Sequence, residues 1–442
     1  MIRFAGIAPH PPIMVPGIGQ GESLKAVEAS ILAMEQLSNS FAKAEPQTIV
    51  LVTPHAYTES DSFCINAAER LKGDFKRFSN DTELSFDNDF ELIQQFQIHA
   101  QQQRIPLKLY KGELDHGTLV PMYYLGKAKN VRLVQLSFSN KSPTEHFEYG
   151  QMLGKICEQS PNSIAVLASG DLSHKSSKTS HLGYSPRGLE FDQALVSLVE
   201  EGNIRGVLEM ERGLVKEAGE CGLRSISMLL GMIGKRALDY KKLSYEAPFG
   251  VGYFVADVVL GEIRPYDDQL GPACLALARR SVELFVKDGV EAVAEPNMPD
   301  DCFIERKGVF VTLKKNKELR GCIGTFLPVS SCIAQEIVRN SISACSKDPR
   351  FPAIKEKELS QIQYEVSLLD APQVVADPKS LDPQKDGIIV ATSSGKQGLL
   401  LPDLDGITSV DQQIAIASQK GRIDLGREKI FIYSFNTLKF SE

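Results

Sequence analysis

Apolar and polar positions follow two rhythms over residues 1–262. Unbroken apolar runs, "MIRFAGIA" (1–8), "PQTIVLVTPH" (46–55), "NVRLVQLSFS" (130–139), "NSIAVLASGDLSH" (162–174) and "GVGYFVADVVLGEI" (250–263), read as buried strands. Between them, over 22–44, 87–103, 146–159, 187–202 and 221–236, apolar residues recur at helical spacing. Alternation on this scale predicts an α/β sheet covered by helices on both faces.

The pattern breaks at "GEIRPYDDQLGP" (261–272), where Gly, Pro and Asp cluster. A different unit follows. A helix is expected over 274–289, a hairpin with a charged turn over 308–326, a helix over 330–347 and strands over 362–375 and 387–402. Two domains result: 1–262, an α/β sheet, and 268–442, a smaller α+β unit.

Composition narrows the class. A hydrophobic fraction of 43% and a charged fraction of 24% are those of a globular protein. The net charge of −7 leaves no basic stripe to neutralise phosphates, which argues against direct nucleic-acid binding. No stretch approaches the ~18 apolar residues of a membrane span, and "MIRFAGIAPHPP" has no apolar core of a signal peptide. Eight scattered cysteines without a CxxC pair read as reduced thiols. The expected compartment is the cytoplasm.

Candidate chemistry sits in the histidines. There are seven in 442 residues, and four stand in short loops after strand-like runs: His10 in "IAPHPP", His55 in "TPHAY", His116 in "LDHGTLVP" and His174 in "SGDLSHK". Open α/β sheets bind ligands beyond strand ends, and imidazole is both a metal ligand and an acid/base group. Prolines beside His10 and His55 stiffen their loops. Asp115 and Asp171, close to His116 and His174, are candidates to orient those rings from behind. For Asp171, in "DLSH" ahead of a polar segment, a capping role is the alternative.

"PHPP", "TPHAY", "LDHGTLVPMYYL" and "SGDLSHK", in that order, resemble the class III extradiol ring-cleavage dioxygenases, the LigB-like family, and the related Memo proteins. The resemblance covers about residues 1–262. It implies that His10 and His55 bind iron as Fe(II), and that His116 and His174 are catalytic acid/base groups beside a small aromatic diol or a modified small molecule. It also implies a third ligand at the start of a late helix: Glu220, or alternatively its neighbour Cys221, which stands where Memo-like relatives carry cysteine. Adjacent helical residues point about 100° apart, so one of the two faces the metal. Glu220 suits Fe(II), whereas Cys221 suits Zn or Cu. The enzyme reading is a metal-dependent oxidoreductase of dioxygenase type. The alternative is a Memo-like metal- or peptide-binding module without ring cleavage.

In the second half, "LRGCIG" (319–324) with "DPRFPAI" (348–354) resembles the AMMECR1 domain over about 268–442. Arg320 and Cys322 are its candidate site, because positive charge favours a thiolate. No histidine occurs in this half, which excludes a Cys–His pair built from it alone. Domains of these two types also recur with a radical SAM protein, so the resemblance implies such a partner in a macromolecule-modification system. Self-association into a homo-oligomer stays open.

Overall fold

A computed structural model of the protein describes residues 1–442 except 127–130, 376 and 405. The chain divides into two compact units, Met1–Pro265 and Tyr266–Glu442.

The first unit is built on β1 (Ile2–Ala8), β2 (Thr48–Thr53), β3 (Phe63–Asn66), β4 (Arg70–Asp74), β5 (Glu83–Asp87), β6 (Leu107–Tyr110), β7 (Arg132–Ser137), β8 (Ile164–Ser169), β9 (Ala237–Glu246) and β10 (Tyr253–Leu260). Its helices are α1 (Glu22–Lys25), α2 (Glu28–Ala44), α3 (Phe90–Gln102), α4 (His116–Leu125), α5 (Pro143–Gln159), α6 (Pro186–Glu200), α7 (Ile204–Leu208), α8 (Arg212–Ala218) and α9 (Leu223–Ile233). Eight strands form one sheet in the order β6-β3-β7-β2-β8-β1-β10-β9, while β4 and β5 pair separately. The middle four, β7-β2-β8-β1, are parallel. Every residue of β2 and β8 is buried, as their apolar runs require. Asn130, the first residue of the strand expected over 130–139, lies outside the described residues.

Register fixes where these strands stop. Ala8 pairs with Ser169, and Thr53 with Ser137, so β1, β8, β2 and β7 end on a common row. One sheet face packs Leu51, Ala165 and Leu167 against α2 and α4. On the other, α9 lies against β8, β1 and β2. The helix expected over 22–44 is broken at Val27, which is fully buried with φ −115° and ψ 18°. Strand β9 escaped the pattern because its outer positions are exposed and charged.

Helices α5 and α9 approach backbone to backbone. A methyl group on Gly150 would lie 2.2 Å from the carbonyl oxygen of Met228, one on Gly154 2.1 Å from that of Met232, and one on Gly231 2.1 Å from that of Phe147. This contact seats α9, whose start lies beside the ends of β1 and β8.

The second unit contains α10 (Leu270–Asp288), α11 (Asp301–Ile304), β11 (Gly308–Lys315), β12 (Glu318–Thr325), α12 (Ile333–Ser346), β13 (Ile362–Leu369), β14 (Gln373–Val374), β15 (Asp386–Thr392), β16 (Gln397–Leu400), α13 (Val410–Lys420) and β17 (Ile430–Ser441). Its antiparallel sheet runs β12-β11-β13-β17-β15-β16, with β14 on β17. Helices α10 and α12 share a core with β11 and β13, and α13 with β15 and β16. The expected hairpin over 308–326 is β11–β12. Among the described residues no helix is long and apolar enough to cross a membrane.

Gly154→Ala tests the α5–α9 seat. The clash is with a carbonyl that cannot swing aside, so the variant should lose about 2 kcal/mol of stability, read from urea unfolding midpoints.

Candidate metal centre

His10 leaves the end of β1 and is 1% exposed. Its main-chain N–H donates to Asp171 Oδ1 at 2.9 Å, and its Nδ1 lies 2.9 Å from Ser169 Oγ. The Ser169 hydroxyl gives its one proton to the Gly117 carbonyl at 2.5 Å. It can therefore only accept from His10, which places the ring proton on Nδ1 and leaves the Nε2 lone pair free. That lone pair faces His55 Nε2, 3.0 Å away.

His55 follows β2, with one face open to solvent and the other against its neighbours. His116 stacks on it, ring centres 4.3 Å apart at 27°, and stands 5.3 Å from the His10 ring. One nitrogen from each of His10, His55 and His116 lies within 4.8 Å of the others, a spacing that a single metal ion can span. Desolvation first, then mutual repulsion among the rings, pushes the pKa of His10 well down. Desolvation also lowers His116, and desolvation with His116 lowers His55. The cluster at neutral pH is thus a set of uncharged lone pairs, the state that binds cations.

His116, expected in a loop, is the first residue of α4. Asp115 is that helix's N-cap. Its Oδ1 accepts from Thr118 N–H and the Thr53 hydroxyl, and its Oδ2 from Gln135 and the Thr118 hydroxyl. The expectation that Asp115 orients the His116 ring is corrected here: its acceptor sites are spent tying α4 to β2. Asp171 likewise holds the His10 main chain rather than the His174 ring, with Oδ2 3.8 Å from His10 Nε2. Burial raises its pKa to about 7.

The two candidate third ligands face different ways. Neither Glu220 nor Cys221 belongs to the cluster of three imidazoles. The Glu220 carboxylate accepts the Leu223 N–H at 2.6 Å, satisfying one free donor at the start of α9. Cys221 turns the other way, with Sγ 3.7 Å from His10 Nε2. Its main chain is locked to Asp171, donating to the Asp171 carbonyl at 3.2 Å, and its sulfur accepts the Asp171 N–H at 3.3 Å. The lock requires Gly170 and Gly222, since a methyl group on Gly170 would lie 2.3 Å from Gly222 Cα.

His174 stands at the edge of the group. Its N–H donates to the Ala218 carbonyl at 3.1 Å, while its Nε2 is buried with no hydrogen-bond partner among the described residues. Desolvation, then His181 and His55, lowers its pKa to about 4. The loop carrying it is pinned by Asp192, which accepts Ser173 N–H and Tyr245 O–H, both at 2.7 Å.

Ser169 and Asp192 were not singled out from sequence. Each left one signal: a serine closing an apolar strand, and an aspartate on the buried side of a helix.

In the second unit, Arg320 is corrected as a partner for Cys322. Its guanidinium is bidentate to Glu358, at 3.1 Å twice, and donates to the Pro352 carbonyl at 2.8 Å. The cation bonded to Cys322 is Arg350, through the Cys322 carbonyl at 3.0 Å.

Comparison with known proteins agrees with this architecture. Residues 5–256 match the family model described as the catalytic LigB subunit of aromatic ring-opening dioxygenase, and residues 275–440 match the AMMECR1 model. A Clostridium acetobutylicum protein is 36% identical over 449 aligned positions, covering 95% of each chain. A Thermotoga maritima protein is 40% identical over 164 residues, 37% of this chain and 94% of that one. A solved structure of an uncharacterized Pyrococcus horikoshii protein aligns at 28% identity and TM-score 0.37, over 40% of this chain and 93% of that chain. With the LigB model spanning more than half of its length and one relative matching it nearly end to end, the chain belongs to the LigB family and carries an AMMECR1 domain behind the LigB domain.

Proposed function

We propose that the N-terminal unit is a mononuclear metal centre acting as a LigB-type oxidoreductase on a small aromatic diol. The observation that carries it is the convergence of three imidazole nitrogens within 4.8 Å, with the His10 lone pair left free by Ser169. His10, His55 and His116 supply nitrogen, and Cys221 supplies sulfur on the His10 side. The three imidazoles accept Fe(II), Zn or Cu, and the thiol shifts the preference toward Zn or Cu. A bound Fe(II) would supply Lewis acidity and a path for electrons from the diol to oxygen.

The protein's own share is proton handling and orientation. Burial keeps His174 neutral, and its Nε2 has no partner among the described residues. It is the group that accepts a hydroxyl proton from the bound diol. Phe78, with its ring 6.0 Å from that of His116, gives the diol ring an apolar wall.

A second reading rests on Cys221. A thiol in place of a carboxylate softens the site and favours a binding module that holds zinc or copper without ring cleavage.

Chain purified without oxygen, loaded with Fe(II) and offered a catechol panel in air, should produce the visible absorbance of a ring-opened semialdehyde. His174→Ala should lower that rate about 100-fold or more while metal content stays at one per chain. Silence across the panel together with tight zinc or copper retention selects the binding module.

Metal content separates the ligands. His10→Ala, His55→Ala and His116→Ala should each abolish stoichiometric metal by elemental analysis. Ser169→Ala should weaken binding about 10- to 100-fold by releasing the His10 ring. Cys221→Ala should weaken it too. Glu220→Ala should retain metal and cost about 1 kcal/mol of stability through the lost contact at the start of α9; the reverse order for the last two would return Glu220 to the site.

A further inference from the structure

His174 depends on its main chain for its place, because its Nε2 is buried with no hydrogen-bond partner among the described residues. Three elements hold that main chain. The His174 N–H donates to the carbonyl of Ala218, the last residue of α8, at 3.1 Å, and the Ser173 carbonyl accepts from Gly252 N–H, just ahead of β10, at 2.9 Å. Both bonds run from main chain to main chain. The third comes from a side chain on α6: Asp192 Oδ1 accepts the Ser173 N–H at 2.7 Å.

Asp192 is itself fully buried, and its second oxygen is set as tightly as its first. The Tyr245 hydroxyl, from β9, donates to Oδ2 at 2.7 Å. Gly252 closes on the same atom, where a methyl group would lie 2.3 Å away. Helix α6 meets the loop again at Gly188, where a methyl group would lie 2.6 Å from Ser173 Oγ. That hydroxyl donates to the Ala218 carbonyl and accepts the Lys175 N–H, each at 3.0 Å. One carboxylate therefore joins α6, β9 and the residue before His174. A reacting side chain keeps its geometry only where its support is fixed in this way.

We propose, resting on the reading of the N-terminal unit as a diol-binding metal centre, that Asp192 is the positioning residue for proton transfer. By fixing Ser173 it holds the His174 ring where the ring meets a hydroxyl of the bound diol. In the step, the proton passes from the diol oxygen to His174 Nε2, and the oxygen keeps the bonding pair. Asp192 takes no proton from the diol; it acts through His174.

The probe is 4-nitrocatechol, whose visible band moves when a hydroxyl ionises, offered to the full chain loaded with zinc so that no turnover is needed. The readout is the pH midpoint at which the bound probe ionises. His174→Ala should raise that midpoint by about one unit, an ionised fraction about tenfold smaller at a given lower pH. Asp192→Ala should raise it by most of the same amount, with zinc still at one per chain by elemental analysis. Asp192→Asn, which keeps an oxygen for the Ser173 N–H, should return it to the value of the unaltered chain. In the double variant Asp192→Ala/His174→Ala the midpoint should equal that of His174→Ala alone, since contacts that act only through His174 have nothing left to act on. Should Asp192→Ala not fold, Tyr245→Phe carries the same comparison: a smaller rise with His174 present and none without it.

An Asp192→Ala midpoint equal to that of the unaltered chain, shifts that add in the double variant, or zinc lost with Asp192 would overturn the positioning role and leave the metal centre standing. A failed fold of Asp192→Ala together with a Tyr245→Phe midpoint that does not move, or moves equally without His174, would overturn it too. A different result marks failure of the diol reading itself: zinc-loaded unaltered chain that does not ionise the probe, or a midpoint indifferent to His174→Ala, removes the step that Asp192 would serve.

Discussion

The hydrogen bond between His10 Nδ1 and Ser169 Oγ sets what the N-terminal unit can do. Without it the imidazole could carry its proton on either nitrogen, and a proton on Nε2 would close the site to a cation. With the serine's own proton committed to Gly117, the ring has one choice. The bond links three elements, since Ser169 ends β8, His10 follows β1 and Gly117 lies in the first turn of α4. The sheet register that brings Ala8 level with Ser169 is thus also what selects the tautomer. Fold and chemistry meet at one hydroxyl.

The central strands were legible because burial on both faces leaves no room for polar residues, so β1, β2, β8 and β10 announce themselves as apolar runs. Edge elements were not. Strand β6 is only half covered and β9 shows charges outward, so neither carries the period of a buried strand. Helix α13 is short and polar and escaped for a related reason. The four histidines could be read as a group because they are scarce and follow strand-like runs. What could not be read was the direction in which neighbours face. Glu220 and Cys221 are adjacent, and only the close approach of Gly170 to Gly222 decides which one meets His10. That decision is made by two glycines distant in sequence, and no local pattern records it.

The same limit explains the aspartates. Asp115 beside His116 suggests a carboxylate behind an imidazole, yet the start of a helix competes for the same oxygens. Free N–H groups in the first turn of α4 and the Thr53 hydroxyl win that competition. Arg320 beside Cys322 repeats the lesson, because side chains two apart on a strand share a face but need not share a partner. Glu358 takes the guanidinium, and Arg350, from a loop 28 residues away, reaches the cysteine's carbonyl.

Two thiols show how far environment separates residues of one kind. Cys221 lies against neutral imidazoles and a carboxylic group, in surroundings whose burial raises its pKa well above that of a free thiol. Such a sulfur is protonated and inert until a cation displaces its proton, which is the behaviour of a ligand. Cys322 is half-buried on β12, where the Thr312 hydroxyl donates to its sulfur and Arg350 donates to its carbonyl. The difference lies in the fold around each sulfur: the first is enclosed against the His10 imidazole and the Asp171 main chain, while the second stands on a sheet edge held through its own N–H and carbonyl.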